Sequence, residues 1–337
     1  MKSIVCEKPY KLKLADLPLP EKKSGEALIR LKRIGICGTD MHAYKGNQPY
    51  FTYPRILGHE LSGFILDIEK NKVGLEVGDQ VAVIPYVHCG ACIACRNGKT
   101  NCCTALSVIG VHQDGGMCEV LSVPIQNLVK AEGITLDQAA IIEPLAIGAH
   151  AVKRSAIIEG ENVLVIGAGP IGLGVMAFAK QQGARVLAMD INEERLEFCE
   201  KWAKVDATIR AGKESIPLLK EQTSGNFPTI VFDATGNVHS MEGAFQYVAH
   251  GGKLIYVGLV ENEIRFFDPD FHKKELTLLA SRNATTDDFS YVLGKIQTDA
   301  INSSDYITHH SSFDDVLNKF DHWLLPDSKV IKAMIEL

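Results

Sequence analysis

The sequence has no apolar run approaching the ~20 residues of a membrane span. Its first ten residues, MKSIVCEKPY, lack the apolar core of a secretory signal, so a cytoplasmic protein is expected. Basic runs of the kind that grip nucleic acid are also missing. Setting 35 Lys and Arg against 41 Asp and Glu leaves a net charge of −6, and small molecules become the expected partners. Internal repeats and low-complexity linkers are absent. The 337 residues, 46% hydrophobic and 23% charged, are enough for two folded domains sharing a cleft.

What the chain does have is cysteine. Nine cysteines without an export signal point to metal or redox roles before disulfides, because the cytosol keeps thiols reduced. In HCGACIACRNGKTNCC, Cys89, Cys92 and Cys95 recur every third residue and Cys103 follows, with Cys102 beside it as an alternative. Four thiolates at such spacing suit a closed tetrahedral zinc site that replaces a hydrophobic core for a small lobe, here 88–103. Cys6, Cys118 and Cys199 sit among apolar neighbours and read as small core residues.

A second concentration of polar groups is GICGTDMHAYKGNQPYFTYPRILGHE, from Gly35 to Glu60. It holds a thiol at Cys37, a hydroxyl at Thr39, imidazoles at His42 and His59 and a carboxylate at Glu60. Zinc takes sulfur, imidazole nitrogen and carboxylate oxygen, and a catalytic zinc keeps one position open. Cys37 and His59 would be two ligands, with Glu60 and Glu143 competing for the third place. Glu143 follows the apolar AAII and precedes PLAIGAH, so burial is expected, and a metal would compensate a buried carboxylate. Asp40 reads as a residue that fixes the loop, His150 as a core histidine and His88 as a loop histidine.

Short strands broken by Pro18, Pro20 and Gly25 fill the first third, as expected of a β-rich, antiparallel domain with long loops. The texture then changes. VLVIGAGPIGLG is an apolar strand running into Gly167, Gly169, Pro170, Ile171 and Gly172, followed by a helical pattern and a second strand that ends on Asp190, 18 positions after Gly172. Glycines allow a tight turn and close approach of backbone to a pyrophosphate, and the helix N-terminus adds unpaired N–H groups. Asp190 would take the ribose hydroxyls and repel a 2′-phosphate, which favours NAD over NADP. Arg195 could pair with a phosphate or bridge to Glu193 or Glu194. TIVFDATG, GGKLIYVGL and ELTLLAS read as further buried strands of a six-stranded parallel sheet. Past Ala284 the chain returns to the first domain with a helix patterned by Phe313, Val316, Leu317, Phe320 and Trp323 and a closing strand in KVIKAMIEL.

The run Cys37-Gly38-Thr39-Asp40-Met41-His42, the triplet Gly58-His59-Glu60, the Cys89/Cys92/Cys95/Cys103 lobe and Glu143-Pro144 together resemble the zinc-containing medium-chain alcohol and polyol dehydrogenases. Within them the chain looks closest to the sorbitol dehydrogenase branch. GNQPYFTYPR, SVIGVHQDGG and FHKKELTLLASRNAT further resemble bacterial oxidoreductases of sugar acids such as L-galactonate. The resemblance implies an α/β fold: a GroES-like β-rich catalytic domain, 1–144 and 285–337, plus a Rossmann doubly wound parallel-sheet coenzyme domain, 145–284. It implies a catalytic zinc held by Cys37, His59 and an acid, Glu143 as third ligand with Glu60 adjacent or alternate. With the structural zinc this makes two per subunit, and relatives are dimers or tetramers.

Asp233 to Gly236, with Thr235, and Gly258 to Leu259 are implied along the nicotinamide half of the groove. Proton exit through Thr39 and His42 is expected, set against a turn hydroxyl and a surface imidazole. Arg282 would meet a sugar hydroxyl or carboxylate, or else cofactor or a neighbouring subunit. His112 would line the pocket or cap a loop. The expected activity is hydride transfer between a secondary alcohol of a polyhydroxylated substrate and NAD. A neutral polyol, a diol or L-threonine is the alternative substrate, and a non-catalytic NAD and zinc sensor the remote one.

Overall fold

The computed structural model describes residues 1–48 and 51–337; Pro49 and Tyr50, inside the GNQPYFTYPR segment, lie outside the described residues. The chain forms two compact units, Met1–Glu143 with Thr285–Leu337, and Pro144–Ala284. No helix among the described residues is long and apolar enough to cross a membrane.

The first unit is built on the strand Glu26–Ile36, whose alternating apolar positions Ala27, Ile29 and Leu31 are buried. It pairs antiparallel with Glu60–Ile68, Val120–Pro124 and Ala333–Glu336, so segments remote in sequence meet on one strand. Gln80–Val83 and Leu128–Lys130 extend this seven-stranded sheet at one side and His309–Ser312 at the other. The expected antiparallel character has one exception: His309–Ser312 runs parallel to Ala333–Glu336, because a helix intervenes between them. That helix, Val316–Trp323, buries Val316, Phe320 and Trp323 at one-turn spacing, and these join Ile4, Leu31, Ile34, Leu61 and Ile335 in a single core.

The second unit is a six-stranded parallel sheet in the spatial order Ala207–Arg210, Arg185–Asp190, Asn162–Ile166, Ile230–Asp233, Lys253–Tyr256, Thr277–Ala280. This is the Rossmann order, with the topological switch between Asn162–Ile166 and Ile230–Asp233. Four strands are buried runs as expected of a sheet covered on both faces. The ELTLLAS strand corrects the expectation of burial: Thr277–Ala280 is the sheet edge, and three of its four residues are exposed.

Candidate active site

Cys37 is the residue between the strand Glu26–Ile36 and the helix Gly38–Lys45, and Asp40 makes that junction rigid. The buried Asp40 carboxylate accepts the Cys37 N–H through Oδ2 at 2.9 Å and the Gly58 N–H through Oδ1 at 3.0 Å. One side chain thus ties the Cys37 loop to the His59 loop. The helix is held from outside by Tyr44, whose ring packs on Phe320 with centroids 5.0 Å apart and whose hydroxyl donates to Asp321 at 2.7 Å. Glu60 opens the strand Glu60–Ile68 and faces Gly35 across the sheet. A Cβ on Gly35 would lie 2.0 Å from Glu60 Oε2, so only glycine leaves that carboxylate its place.

The ligand atoms of Cys37, His59 and Glu60 lie within 4.8 Å of one another. Of the two competing glutamates, Glu60 is therefore the one grouped with the thiol and the imidazole. Glu143 stands beside this trio in the first turn of the helix Ile142–Ser155, 3% exposed, its Oε1 accepting the Tyr86 hydroxyl. Glu60 Oε1 accepts from the ammonium of Lys332 at 2.5 Å, and Lys332 also donates to Ile36 O at 3.1 Å. The other oxygen of each glutamate, together with His59 Nδ1, is buried without a hydrogen-bond partner. Buried polar atoms without partners are rare and costly, and the bare oxygen of Glu60 belongs to a residue grouped with the thiol and the imidazole, while His59 Nδ1 faces Asp40 Oδ1 at 3.7 Å. A sulfur, a nitrogen and carboxylate oxygens around one point are the donor set zinc takes, so the residues fit a zinc ion.

The electrostatics agree. Burial pulls the His59 imidazole down, but Asp40, Cys37 and Glu143 surround it with negative charge and hold it well above its usual value. Burial pushes Glu143 up to about 7, and Glu60 adds to the rise against the opposing effect of His59. Anionic groups this crowded repel one another, and a dication would relieve them all.

A second cluster forms in the loop Cys89–Cys103. The sulfurs of Cys89, Cys92, Cys95 and Cys103 also lie within 4.8 Å of one another. Cys102 is exposed and outside the group, which resolves its ambiguity with Cys103. Backbone amides serve as donors to sulfur, from Cys89 and Ala105 to Cys103 and from Cys92 to Cys89, each at 3.3 to 3.4 Å. Such amides pull Cys92 down to about 5, while burial holds Cys95 up at about 12. Four sulfurs so close ionise together only around a cation, and zinc fits them. All nine cysteines are free thiols, and Cys6, Cys118 and Cys199 are buried in the cores.

The glycine-rich turn follows the strand Asn162–Ile166 and runs into the helix Pro170–Gln181. Gly167 has φ +98°, and a Cβ on Gly172 would meet Gly167 O at 1.8 Å, so turn and helix close on each other. Gly169 differs: nothing but the Arg195 guanidinium, at 3.9 Å, comes within reach of an added Cβ, which leaves open space over the helix N-terminus. Glu193 pairs with Arg210 at 3.0 Å, and Arg195 points to the turn. Asp190 accepts N–H groups of Ala168 at 2.7 Å and Asn192 at 2.9 Å, which binds the second strand to the turn. Asp233 is buried and takes the Thr235 amide and hydroxyl on one oxygen and the Ser240 hydroxyl on the other. Gly236 and Gly258 touch backbone to backbone, so Thr235 and the exposed Leu259 sit together at the carboxyl ends of neighbouring strands.

Thr39 is half-buried and His42 exposed on the helix Gly38–Lys45. His112 is exposed, and its Nδ1 accepts the Val108 N–H at 3.0 Å. Arg282 is exposed, two residues beyond the edge strand. Sequence reasoning missed Lys332, Tyr86 and Tyr306, all buried and all acting electrically with Glu60 and Glu143. A lysine in the otherwise apolar VIKAMI was the one legible signal.

A GroES-like β unit with a sulfur, imidazole and carboxylate trio and a thiol lobe, and a Rossmann unit with an open glycine turn, define a zinc-binding dehydrogenase. Residues 23–133 match the family described as alcohol dehydrogenase GroES-like domain and residues 170–298 that described as zinc-binding dehydrogenase. The chain belongs to the zinc-binding medium-chain alcohol dehydrogenase family. It is 45% identical over 335 residues to L-galactonate-5-dehydrogenase of Escherichia coli K12, covering 99% of this chain and 98% of that one. To the probable D-xylulose reductase A of Aspergillus fumigatus it is 32% identical, covering 99% and 96%. A solved alcohol dehydrogenase of E. coli CFT073, complexed with NADH, superposes with a TM-score of 0.93 at 32% identity, covering 100% of this chain and 99% of the other.

Proposed function

We propose that the protein oxidises a secondary alcohol of a polyhydroxylated substrate, a sugar acid of the L-galactonate kind, with NAD as hydride acceptor, as a cytoplasmic homo-oligomer. The observation that carries this is the trio of half-buried Cys37 with buried His59 and Glu60, whose His59 Nδ1 and Glu60 Oε2 have no hydrogen-bond partner, in a chain 45% identical to an L-galactonate-5-dehydrogenase. The unit Met1–Glu143 with Thr285–Leu337 is in this reading the catalytic domain and Pro144–Ala284 the coenzyme domain. The trio, with Glu143 as alternate donor, and the four-cysteine lobe would each hold one zinc. When bound in the trio, zinc supplies Lewis acidity that lowers the pKa of a substrate hydroxyl.

The chain's own groups do the rest. Thr39 and His42 stand three residues apart on one helix, so their side chains are neighbours, the first half-buried and the second exposed, and they lead a proton out to solvent. The turn Gly167–Gly172 and Arg195 receive the pyrophosphate, and Asp190 the adenosine ribose. Thr235, Gly258 and Leu259 line the nicotinamide half, while Arg282 offers the two-point fork that suits a carboxylate. His112 contributes by holding its loop.

The test is reduction of NAD across a panel of sugar acids, polyols, diols and threonine, with the zinc content of the same preparation. Turnover of an aldonate well above sorbitol is expected, with KM for the acid rising far more than for the neutral polyol in Arg282→Ala. Sorbitol or xylitol turned over better would favour the neutral-polyol reading, to which the 32% identity with D-xylulose reductase A lends weight. No turnover by a protein holding two zinc ions and NAD would favour the sensor.

A further inference from the structure

Glu60 and Glu143 share a pattern that the reaction as described does not use. Each is buried, each has Oε1 engaged by a buried donor, and each has Oε2 bare. For Glu143 the donor is the neutral Tyr86 hydroxyl. For Glu60 it is the ammonium of Lys332, itself only 1% exposed and held on its other side by Ile36 O. The bare oxygen of Glu60 is confined as well, since it occupies the space that Gly35 leaves by having no Cβ.

A carboxylate near a metal ion can give one oxygen or two. With two, Glu60 would raise the metal from four donors to five and crowd the position that a catalytic site keeps open for substrate. We propose that Lys332 is a positioning residue that caps Glu60 Oε1, so that Glu60 supplies a single oxygen to the metal and the open position stays open. This rests on the reading of Cys37, His59 and Glu60 as a metal site. A buried lysine is an expensive way to satisfy one oxygen, and a neutral donor would be cheaper to desolvate. The ammonium does what a hydroxyl cannot: it competes electrostatically with the metal for Oε1, and it offsets one of the negative charges that Cys37, Glu60, Glu143 and Asp40 bring together.

The experiment uses protein that keeps zinc in the four-cysteine lobe and carries cobalt(II) at the other site, in the parent and in Lys332→Met, Lys332→Arg, Lys332→Gln and Lys332→Met/Glu60→Gln. Four-coordinate cobalt(II) absorbs strongly in the visible and five-coordinate cobalt(II) weakly. Lys332→Met should retain cobalt and lose visible absorbance severalfold, with kcat falling in proportion. Lys332→Arg, which keeps a cationic donor for Oε1, should match the parent, whereas Lys332→Gln, a neutral donor, should lose absorbance as Lys332→Met does. The double variant should regain the strong absorbance, because an amide has only one oxygen to give. A folded Lys332→Met protein with the parent's spectrum would overturn the proposal, as would one that no longer binds cobalt at this site. If Lys332→Met does not fold, the parent's strong absorbance in Lys332→Gln would overturn it instead. A parent that binds metal only in the four-cysteine lobe would overturn the metal-site reading itself, whereas two metals per chain with an unchanged Lys332→Met spectrum would remove only the role of Lys332.

Discussion

At the scale of the residue, the site is a problem of buried charge. Glu60 is fully buried and Lys332 nearly so, and each makes the other tolerable. Removing one partner of such a pair strands the other, whereas removing both does not. Glu60→Ala should therefore destabilise the metal-free protein by about 3–5 kcal/mol, and Glu60→Ala/Lys332→Met should recover most of the loss, as read by denaturant unfolding. Asp190 is half-exposed, and in the proposed reading the adenosine ribose meets its charge. The parent should prefer NAD to NADP by a wide margin in kcat/KM, and Asp190→Ala should narrow that margin. Equal use of both cofactors by the parent would remove this role. Asp190 was legible in the sequence because it ends a strand at a fixed distance from the glycines. Lys332 was not, since its partner lies 272 residues away.

At the scale of the element, the glycine-turn strands and the thiol lobe are held by different means. Asp206 anchors the strand Arg185–Asp190 by accepting the Val186 N–H at 2.7 Å and pairing with Lys180 at 2.8 Å. Burial works against the Asp206 carboxylate, but Lys180 and the Val186 amide outweigh it and bring its pKa below 3.8. A carboxyl group with a lowered folded-state pKa adds stability above its unfolded pKa and loses it as pH falls through the folded value. Asp206→Asn should thus lower the melting temperature at neutral pH, and the gap to the parent should close in acid, below 3.8. The loop Cys89–Cys103 has short helical turns, no buried residue in Ile93–Arg96, and little core of its own. Cys95→Ser should release one zinc per chain and expose this loop to protease. Unchanged zinc content and protease resistance would count against a structural ion there. The cysteine spacing announced this lobe, but only the folded loop separated Cys103 from Cys102.

At the scale of the whole molecule, the open edge of the parallel sheet has consequences for assembly. Thr277–Ala280 pairs on one side only, is largely exposed, and carries Leu278 at 38% exposure. An exposed apolar edge strand invites pairing with another chain. If two copies join along it, Leu278→Lys should shift the parent's oligomer towards a smaller species in sedimentation or light scattering, with the thermal stability of the monomer little changed. An oligomer unaffected by that charge would place the contact elsewhere. Nothing in ELTLLAS separates an edge strand from a central one, because both read as short apolar runs.

The sequence by itself determined the two textures of the chain, alternating strands in one part and apolar strand-turn-helix units in the other, because side-chain period and glycine position are local properties. It also determined the cysteine lobe and the glycine turn, whose members are close along the chain. The tertiary structure alone decided which glutamate joins Cys37 and His59, which donors cap those carboxylates, and which strand is left at the edge. Those outcomes depend on contacts between segments such as Tyr86 and Glu143 or Glu60 and Lys332. Burial and charge compensation across such distances arise only when the chain has folded.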